Sequence, residues 1–307
     1  MLNKGNGAFE PIYNKSLDTA KLANEIKVND IDNDGADEII IACEWGPIRI
    51  YKNVNNALQE ITADLQLDTK TGWWNSINLH DLDNDGDLDI LATNFGHNTK
   101  YKASTSKPEL LYYSDFDESG KLDIVEAKYE GNDLVPRRGF SCSQLAMPFI
   151  KDKMKSFHNF ASSSLSGIYS KTSISSATKY EINTLESGVF INEKTHFKFI
   201  KLPPEAQIAP SFGSTVTDIN EDGIADIVLA QNFYGPQRET GRMDGGLSLI
   251  LLGLGDCRFK SIPHKDSGIH ILGDTREVHS IDINNDGSDE LIFALNNGPL
   301  MIYSKNK

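Results

Sequence analysis

The sequence predicts an all-β protein. The expected architecture is a β-propeller of four-stranded antiparallel blades, with an acidic loop between the first and second strands of each blade and one helical insertion. Three observations predict it. A nine-residue pattern, Asp-x-[Asp/Asn]-x-[Asp/Ser]-Gly-x-x-[Asp/Glu], occurs five times, at Asp30–Glu38, Asp81–Asp89, Asp115–Asp123, Asp218–Asp226 and Asp282–Glu290. Each copy runs straight into an apolar, strand-like segment. The copies start 51, 34, 103 and 64 residues apart, and repeats of tens of residues, each a small sheet, indicate a propeller or solenoid.

Oxygen-bearing side chains recur at positions 1, 3, 5 and 9 of each copy, with glycine at position 6 (Gly35, Gly86, Gly120, Gly223 and Gly287). Hard oxygen donors at alternate positions can wrap one cation, and glycine permits the sharp turn that returns the ninth residue to it. The pattern therefore predicts up to five Ca²⁺ sites. Position 7 adds a backbone carbonyl, so the first set is Asp30, Asp32, Asp34, Ala36 and Glu38, and the second is Asp81, Asp83, Asp85, Asp87 and Asp89. The third is Asp115, Asp117, Ser119, Lys121 and Asp123; the fourth Asp218, Asn220, Asp222, Ile224 and Asp226; the fifth Asp282, Asn284, Asp286, Ser288 and Glu290. Fewer anionic ligands lower calcium affinity, so the first two sites are expected to fill first. The third is expected to be weakest, because the Ser119 hydroxyl is short and neutral. Acidic turns without an ion are the alternative, opposed by the repulsion of clustered carboxylates.

An EF-hand loop is closed at position 12 by a bidentate Glu between two helices. Here position 12 is Ile41, Ala92, Glu126, Leu229 and Phe293. The flanks alternate and then turn β-branched, as in Glu25-Ile26-Lys27-Val28 before the first loop and Ile39-Ile40-Ile41-Ala42 after it. They read as strands, which excludes the EF-hand. Thrombospondin-type arrays pack their loops closer together and rely on disulfides, and neither feature is present.

The first repeat reads as a complete blade, with strands near 24–29, 38–43, 47–52 and 58–61. The last repeat supplies its first two strands and a counterpart of the third, Pro299-Leu300-Met301-Ile302-Tyr303-Ser304, and then stops one strand short. A strand at about 6–13 is expected to pair with that last blade and close the ring, removing its exposed edges. The whole span 1–307 then forms one propeller domain. Five blades are expected; a blade without an acidic loop, hidden in the 103-residue gap, would make six or seven.

That gap holds the insertion, at 137–180, mainly helical and loop. Apolar residues at 150, 154, 157 and 160–161 fit a helical face, with Pro148 at a helix start or kink. Ser162–Ser164 and Ser173–Ser176 mark polar exits. Strands resume near 188–192 and 197–200. Insertions on one face of a repeat ring often form a binding surface; a packing element is the equal alternative.

A formal net charge of −14 argues against a nucleic-acid partner, and five bound Ca²⁺ would offset most of it. Cys43, Cys142 and Cys257 are odd in number and widely spaced, which fits neither a zinc pattern nor a disulfide framework. No stretch approaches the roughly 20 apolar residues of a membrane span. Residues 1–7 contain no apolar signal core. Calcium loops nevertheless favour an extracellular, cell-surface or periplasmic setting, where calcium reaches about 10⁻³ M. The chain reads as a mature domain, part of a longer protein, or a reading frame cut at its edge.

Together the loops and blade strands resemble the FG-GAP/VCBS-repeat propellers. More narrowly, they are similar to the bacterial proteins related to cartilage acidic protein that often carry an ASPIC/UnbV domain. The narrower likeness rests on Thr71–Ser76, on Asn94–Tyr101 and on residues 239–246 (Glu-Thr-Gly-Arg-Met-Asp-Gly-Gly). No ASPIC/UnbV domain is visible. The resemblance implies an exported or surface module with binding or adhesion roles, seven blades as the common count, and no established chemistry.

No nucleophile, metalloprotease or phosphate-loop motif occurs, so no catalytic residue is assigned. A protein or carbohydrate ligand is expected on Trp73, Trp74, Asn94, His97, Tyr101, Asn232, Tyr234, Arg238 and Arg242, which lie before an acidic loop or just beyond a second strand. Aromatic faces and guanidinium forks suit sugars and acidic groups. The competing expectation is that Trp73 and Trp74 pack between blades and that Arg242 pairs with Asp244. The alternative function is a polysaccharide- or phosphoester-active enzyme in the mouth of the ring, which rests on fold analogy.

Overall fold

Alternation along the strand after each acidic loop decides how the sheets stack. In Glu38–Gly46, Ile40 and Ala42 enter one core while Ile41 and Cys43 enter another. In Asp226–Gln231, Ile227 and Leu229 face one neighbour, and Val228 and Ala230 face the next. These strands are covered on both faces, which is why they read as continuous apolar runs. The computed structural model describes residues 2–11, 13–20, 22–55, 57–238 and 240–305. Position 12 of the expected closing strand and position 239 lie outside them.

The fold is all-β, built of several small antiparallel sheets with a few short helices. The first sheet is a meander of Ala23–Asn29, Glu38–Gly46, Arg49–Val54 and Ala57–Glu60. The second begins with Ser76–His80 and Asp89–Thr93, but its remaining strands, Gly188–Asn192 and Phe197–Lys201, come about a hundred residues later. Between them lies the third sheet, in the order Asp133–Pro136, Asp123–Glu130, Glu109–Ser114 and Thr178–Ile182. The fourth comprises Ser211–Thr217, Asp226–Gln231, Leu249–Gly253 and Phe259–Ser261. The fifth comprises Thr275–Ile281, Glu290–Leu295 and Met301–Tyr303.

Sheets one, two, four and five stack face to face in that order. Ile40, Ile48 and Ile50 pack against Trp74, Ile77 and Ile90. Leu91 and Val189 pack against Ile227, Leu229 and Leu251, and Val228 and Ile250 against Val278 and Phe293. The third sheet lies outside this series and meets the first sheet through Ile182, Tyr180 and Leu111, which pack with Trp45 and Trp73. It has its own core, in which Leu110, Tyr112 and Val125 meet Phe140, Ile150, Phe160 and Ile168 of the helices that follow it.

Nesting explains the long gap between the third and fourth loops. Strands 188–192 and 197–201 complete the second sheet, so they are not an extra blade. The insertion holds five short helices, Phe140–Ala146, Phe149–Met154, Phe157–Ala161, Leu165–Tyr169 and Lys171–Ser176. Pro148 caps the second, where its missing N–H costs nothing. Of the serine stretches expected as polar exits, Ser164 starts the fourth helix by accepting the Gly167 amide, and Ser173–Ser176 lie within the fifth; Ser156 and Ser170 cap the third and fifth helices in the same way.

The expected closing strand is described only in part, because position 12 lies outside the described residues. Ala8–Glu10 pairs with Leu2–Gly5 in a separate hairpin, and the fifth sheet has three strands among the described residues. Gly5, Asn6 and Gly7 all have positive φ (81°, 51° and 78°), which suits a tight hairpin turn. A contact this local also closes at a smaller entropy cost than one spanning the chain. Ile26 and Val28 of the first sheet and Ile281 and Ile302 of the fifth remain exposed at 57%, 58%, 51% and 51%.

Candidate metal centres

All five acidic loops share one backbone. The position-1 carboxylate accepts the amides of positions 5 and 6, as Asp30 does from Asp34 and Gly35 at 3.1 and 2.8 Å. Asp81, Asp115, Asp218 and Asp282 repeat this. The position-9 carboxylate accepts the amide of position 2: Glu38 from Ile31, Asp89 from Leu82, Asp123 from Phe116, Asp226 from Ile219 and Glu290 from Ile283. Glycine at position 6 has φ between 81° and 93° in every copy. Position 4 is also left-handed, with φ of 58° to 62° at Asn33, Asn84, Glu118, Glu221 and Asn285. Asn at three of these was a legible signal, because Asn tolerates that region better than most residues.

The donor sets fit a hard cation. Oxygens of Asp30, Asp32 and Glu38, of Asp81, Asp83 and Asp85, and of Asp115, Asp117 and Asp123 lie within 4.8 Å of one another in each loop. Position 9 is deeply placed: Glu38, Asp89 and Asp226 are at most 1% exposed. Burial raises the carboxyls of Glu38, Asp123 and Asp226 above their ordinary range and pushes Asp89 up to about 6. Glu38 Oε1 and Asp83 Oδ1 are buried and accept no hydrogen bond. Orphaned, desolvated carboxylate oxygens are costly unless a cation joins them. In the fourth and fifth loops the Asn side chains at position 3 donate to carboxylates, Asn220 to Asp222 at 2.9 Å and Asn284 to Glu290 at 2.8 Å. Ala36, Asp87, Lys121, Ile224 and Ser288 stand at position 7, where the backbone carbonyl is the donor on offer.

The first loop differs from the others. The Lys52 ammonium bonds Asp32 Oδ2, lies 2.6 Å from Asp34 Oδ2 and 3.9 Å from Glu38 Oε1. This contact holds the Asp34 carboxyl below its ordinary value. The first and second loops are also fastened together. Asn192 donates its side-chain amide to Ile31 O and Leu88 O at 3.0 and 3.2 Å, and its backbone N–H to Asp89 Oδ1 at 2.8 Å.

Five of the nine expected ligand residues are structural. Trp73 is 7% exposed, set edge-on against Trp45, Phe95 and Tyr101. Trp74 is fully buried against Phe190 and Phe199. Tyr101 is buried beneath Arg137 and donates to Glu126. Asn94 and Asn232 are buried clasps: Asn94 accepts from Trp73 and Phe95 and donates to Thr184 O, and Asn232 bonds both Gly246 backbone groups and Gly273 O. His97, Tyr234, Arg238 and Arg242 remain at the surface. Of these, Arg242 lies 3.5 Å over the Tyr234 ring and 3.2 Å from Asp244.

Sequence reasoning missed a cavity of about 300 Å³ between the first, second, fourth and fifth sheets. It is lined by Asn24, Asn75, Phe212 and Arg276, with Glu25 and Glu277 beside them. Those four residues each stand six positions before an acidic loop, a register that was available in the sequence. They staple neighbouring sheets: Asn24 donates to Trp74 O, Asn75 to Ser211 O, and Arg276 lies 4.0 Å over Phe212. Burial raises the Glu277 carboxyl. The equivalent residue before the third loop, Glu109, instead pairs with Arg137, in keeping with the separate place of that sheet.

A family model described as an FG-GAP-like repeat matches residues 30–92, from the first acidic loop through the second strand of the second sheet. This supports the FG-GAP resemblance over that span. No curated protein matches the sequence. Among solved structures, an exotype rhamnogalacturonan lyase, YesX, is 14% identical with a TM-score of 0.35; 89% of this chain is covered, and it spans 38% of the lyase chain. An Agrocybe aegerita lectin specific for non-reducing terminal N-acetylglucosamine is 14% identical with a TM-score of 0.21, over 92% of this chain and 80% of the lectin. BBS1N, solved in complex with ARL6DN, is 10% identical with a TM-score of 0.26, over 92% and 79% of the two chains.

Proposed function

We propose that this protein is a calcium-stabilised β-propeller module of the FG-GAP type that binds a protein or carbohydrate ligand outside the cytoplasm. One observation carries the reading: five loops of one backbone geometry, in each of which the carboxylate that opens the following strand accepts the position-2 amide, with three carboxylates converging within 4.8 Å in the first three loops. Bound calcium would supply charge compensation and fix the turn between two strands. Sheet stacking then depends on that turn, because position 9 begins the strand that both neighbours pack against. The setting follows from the metal, since loops of this kind serve where calcium is plentiful. Equilibrium Ca²⁺ binding to the stripped protein, with excess Mg²⁺ as competitor, tests the reading. Several equivalents of Ca²⁺ per chain support it, and less than one contradicts it.

The cavity lined by Asn24, Asn75, Phe212 and Arg276 favours a second reading, an enzyme acting on a polysaccharide or phosphoester. It sets Arg276 beside Glu277, a cation next to a carboxylate held ready for protonation. This reading stays second because Arg276 is already paired with Asp274 at 2.9 Å and stacked on Phe212. Turnover of an acidic polysaccharide that disappears in Glu277→Gln would promote it.

A further inference from the structure

We infer that Lys52 is the resident cation of the first loop, and that this loop takes Ca²⁺ last although it carries four carboxylates. The inference rests on the proposal that the loops bind calcium. Three positions of the ligand set, 3, 5 and 9, converge on one ammonium: Asp32 and Asp34 bond it, and the otherwise unpartnered Glu38 Oε1 faces it at 3.9 Å. A divalent ion drawing on the same oxygens must first displace that ammonium.

Sheet register explains why this happens in the first loop. Ile39 pairs with Tyr51, so Lys52 lies directly across from Glu38 at the mouth of the loop. The same step beyond the paired residues gives Ile191 across from Asp89, Leu252 across from Asp226 and Ser304 across from Glu290. The hairpin that carries Asp123 ends its pairing at Ala127 and Pro136, short of that level. Lysine on the third strand is therefore a substitution peculiar to the first sheet, and its stem is held by strand geometry rather than by chance at the surface. Carboxylate count ranks the first loop with the second; register reverses that order.

Calcium titration of the wild type against Lys52→Met by calorimetry tests this, alongside melting of both in metal-free buffer. Lys52→Met should gain a site at least tenfold tighter than any the wild type fills last, and Asp32→Asn in the same background should remove it. Without metal, Lys52→Met should melt lower than wild type, because Asp32, Asp34 and Glu38 lose their counter-ion. Identical isotherms for the two proteins would overturn the inference even if both bind calcium. If neither binds calcium, the reading of the loops falls. In that case an unchanged metal-free melting temperature in Lys52→Met overturns the internal cation as well, and a lowered one upholds it.

Discussion

Asn33 donates its side-chain amide to Asp87 Oδ1 at 3.0 Å, joining position 4 of the first acidic loop to position 7 of the second across fifty-four residues of chain. With the Asn192 clasp on Ile31 O and Leu88 O, it makes the two loops one mechanical unit. Ordering either loop orders part of the other, so ions bound at the two would be coupled.

Asn192→Ala should therefore destabilise the protein by about 2–4 kcal/mol, since it strands the buried Ile31 carbonyl and the half-buried Leu88 carbonyl and removes an acceptor for the Lys194 amide. Chemical denaturation measures the loss. Calcium titration of the same variant should show weaker coupling between the first and second loops, with the Asn33–Asp87 bond as the remaining link.

Asp89 predicts an inverted pH dependence. Its folded carboxyl titrates at about 6, raised by burial from 3.8, so the folded chain without metal binds a proton more tightly than the unfolded one. Stability from this group is complete below about pH 4 and is lost as pH rises through 6, by about 3 kcal/mol. Melting of calcium-stripped protein should fall between pH 4 and 6.5. With saturating Ca²⁺ the slope should reverse over the same range, because the ion requires the ionised carboxylate.

Trp73→Ala and Trp74→Ala should each cost about 3–5 kcal/mol, the range for deleting a large buried aromatic. Arg242→Ala, which removes a pair more than half exposed, should stay within about 1 kcal/mol of wild type. A ligand that depends on Arg242 but not on the tryptophans would place recognition on the Tyr234–Arg242 surface.

Gly213→Ala should fail to pack. An added Cβ would lie 2.6 Å from Glu277 Cα and 2.8 Å from Arg276 O, where the inner strands of the fourth and fifth sheets come together. A drop in melting temperature of several degrees is expected, and none from Gly139→Ala, which meets open space.

Local chemistry was legible in the sequence and long-range topology was not. The loops were readable because oxygen spacing and glycine act within nine residues, and the strands because alternation is a nearest-neighbour property. Nothing local marks Asp89–Thr93 as pairing with Gly188–Asn192, so the nesting of the third sheet went unread. Asn94 and Asn232 looked like exposed polar groups because the carbonyls they hold, Thr184 O and Gly273 O, are supplied by distant chain. Lys52 was likewise hidden, since only the Ile39–Tyr51 register brings it to the loop.

Thermal unfolding of the stripped protein, in chelator and then with Ca²⁺ or Mg²⁺ restored, tests the central claim most directly. A melting temperature lower by ten degrees or more in chelator, recovered with Ca²⁺ and not with Mg²⁺, is the predicted result; about 3 kcal/mol of linkage accumulates when free Ca²⁺ exceeds Kd a hundredfold at even one site. Equal melting temperatures in all three conditions would contradict the claim that the five loops are calcium sites.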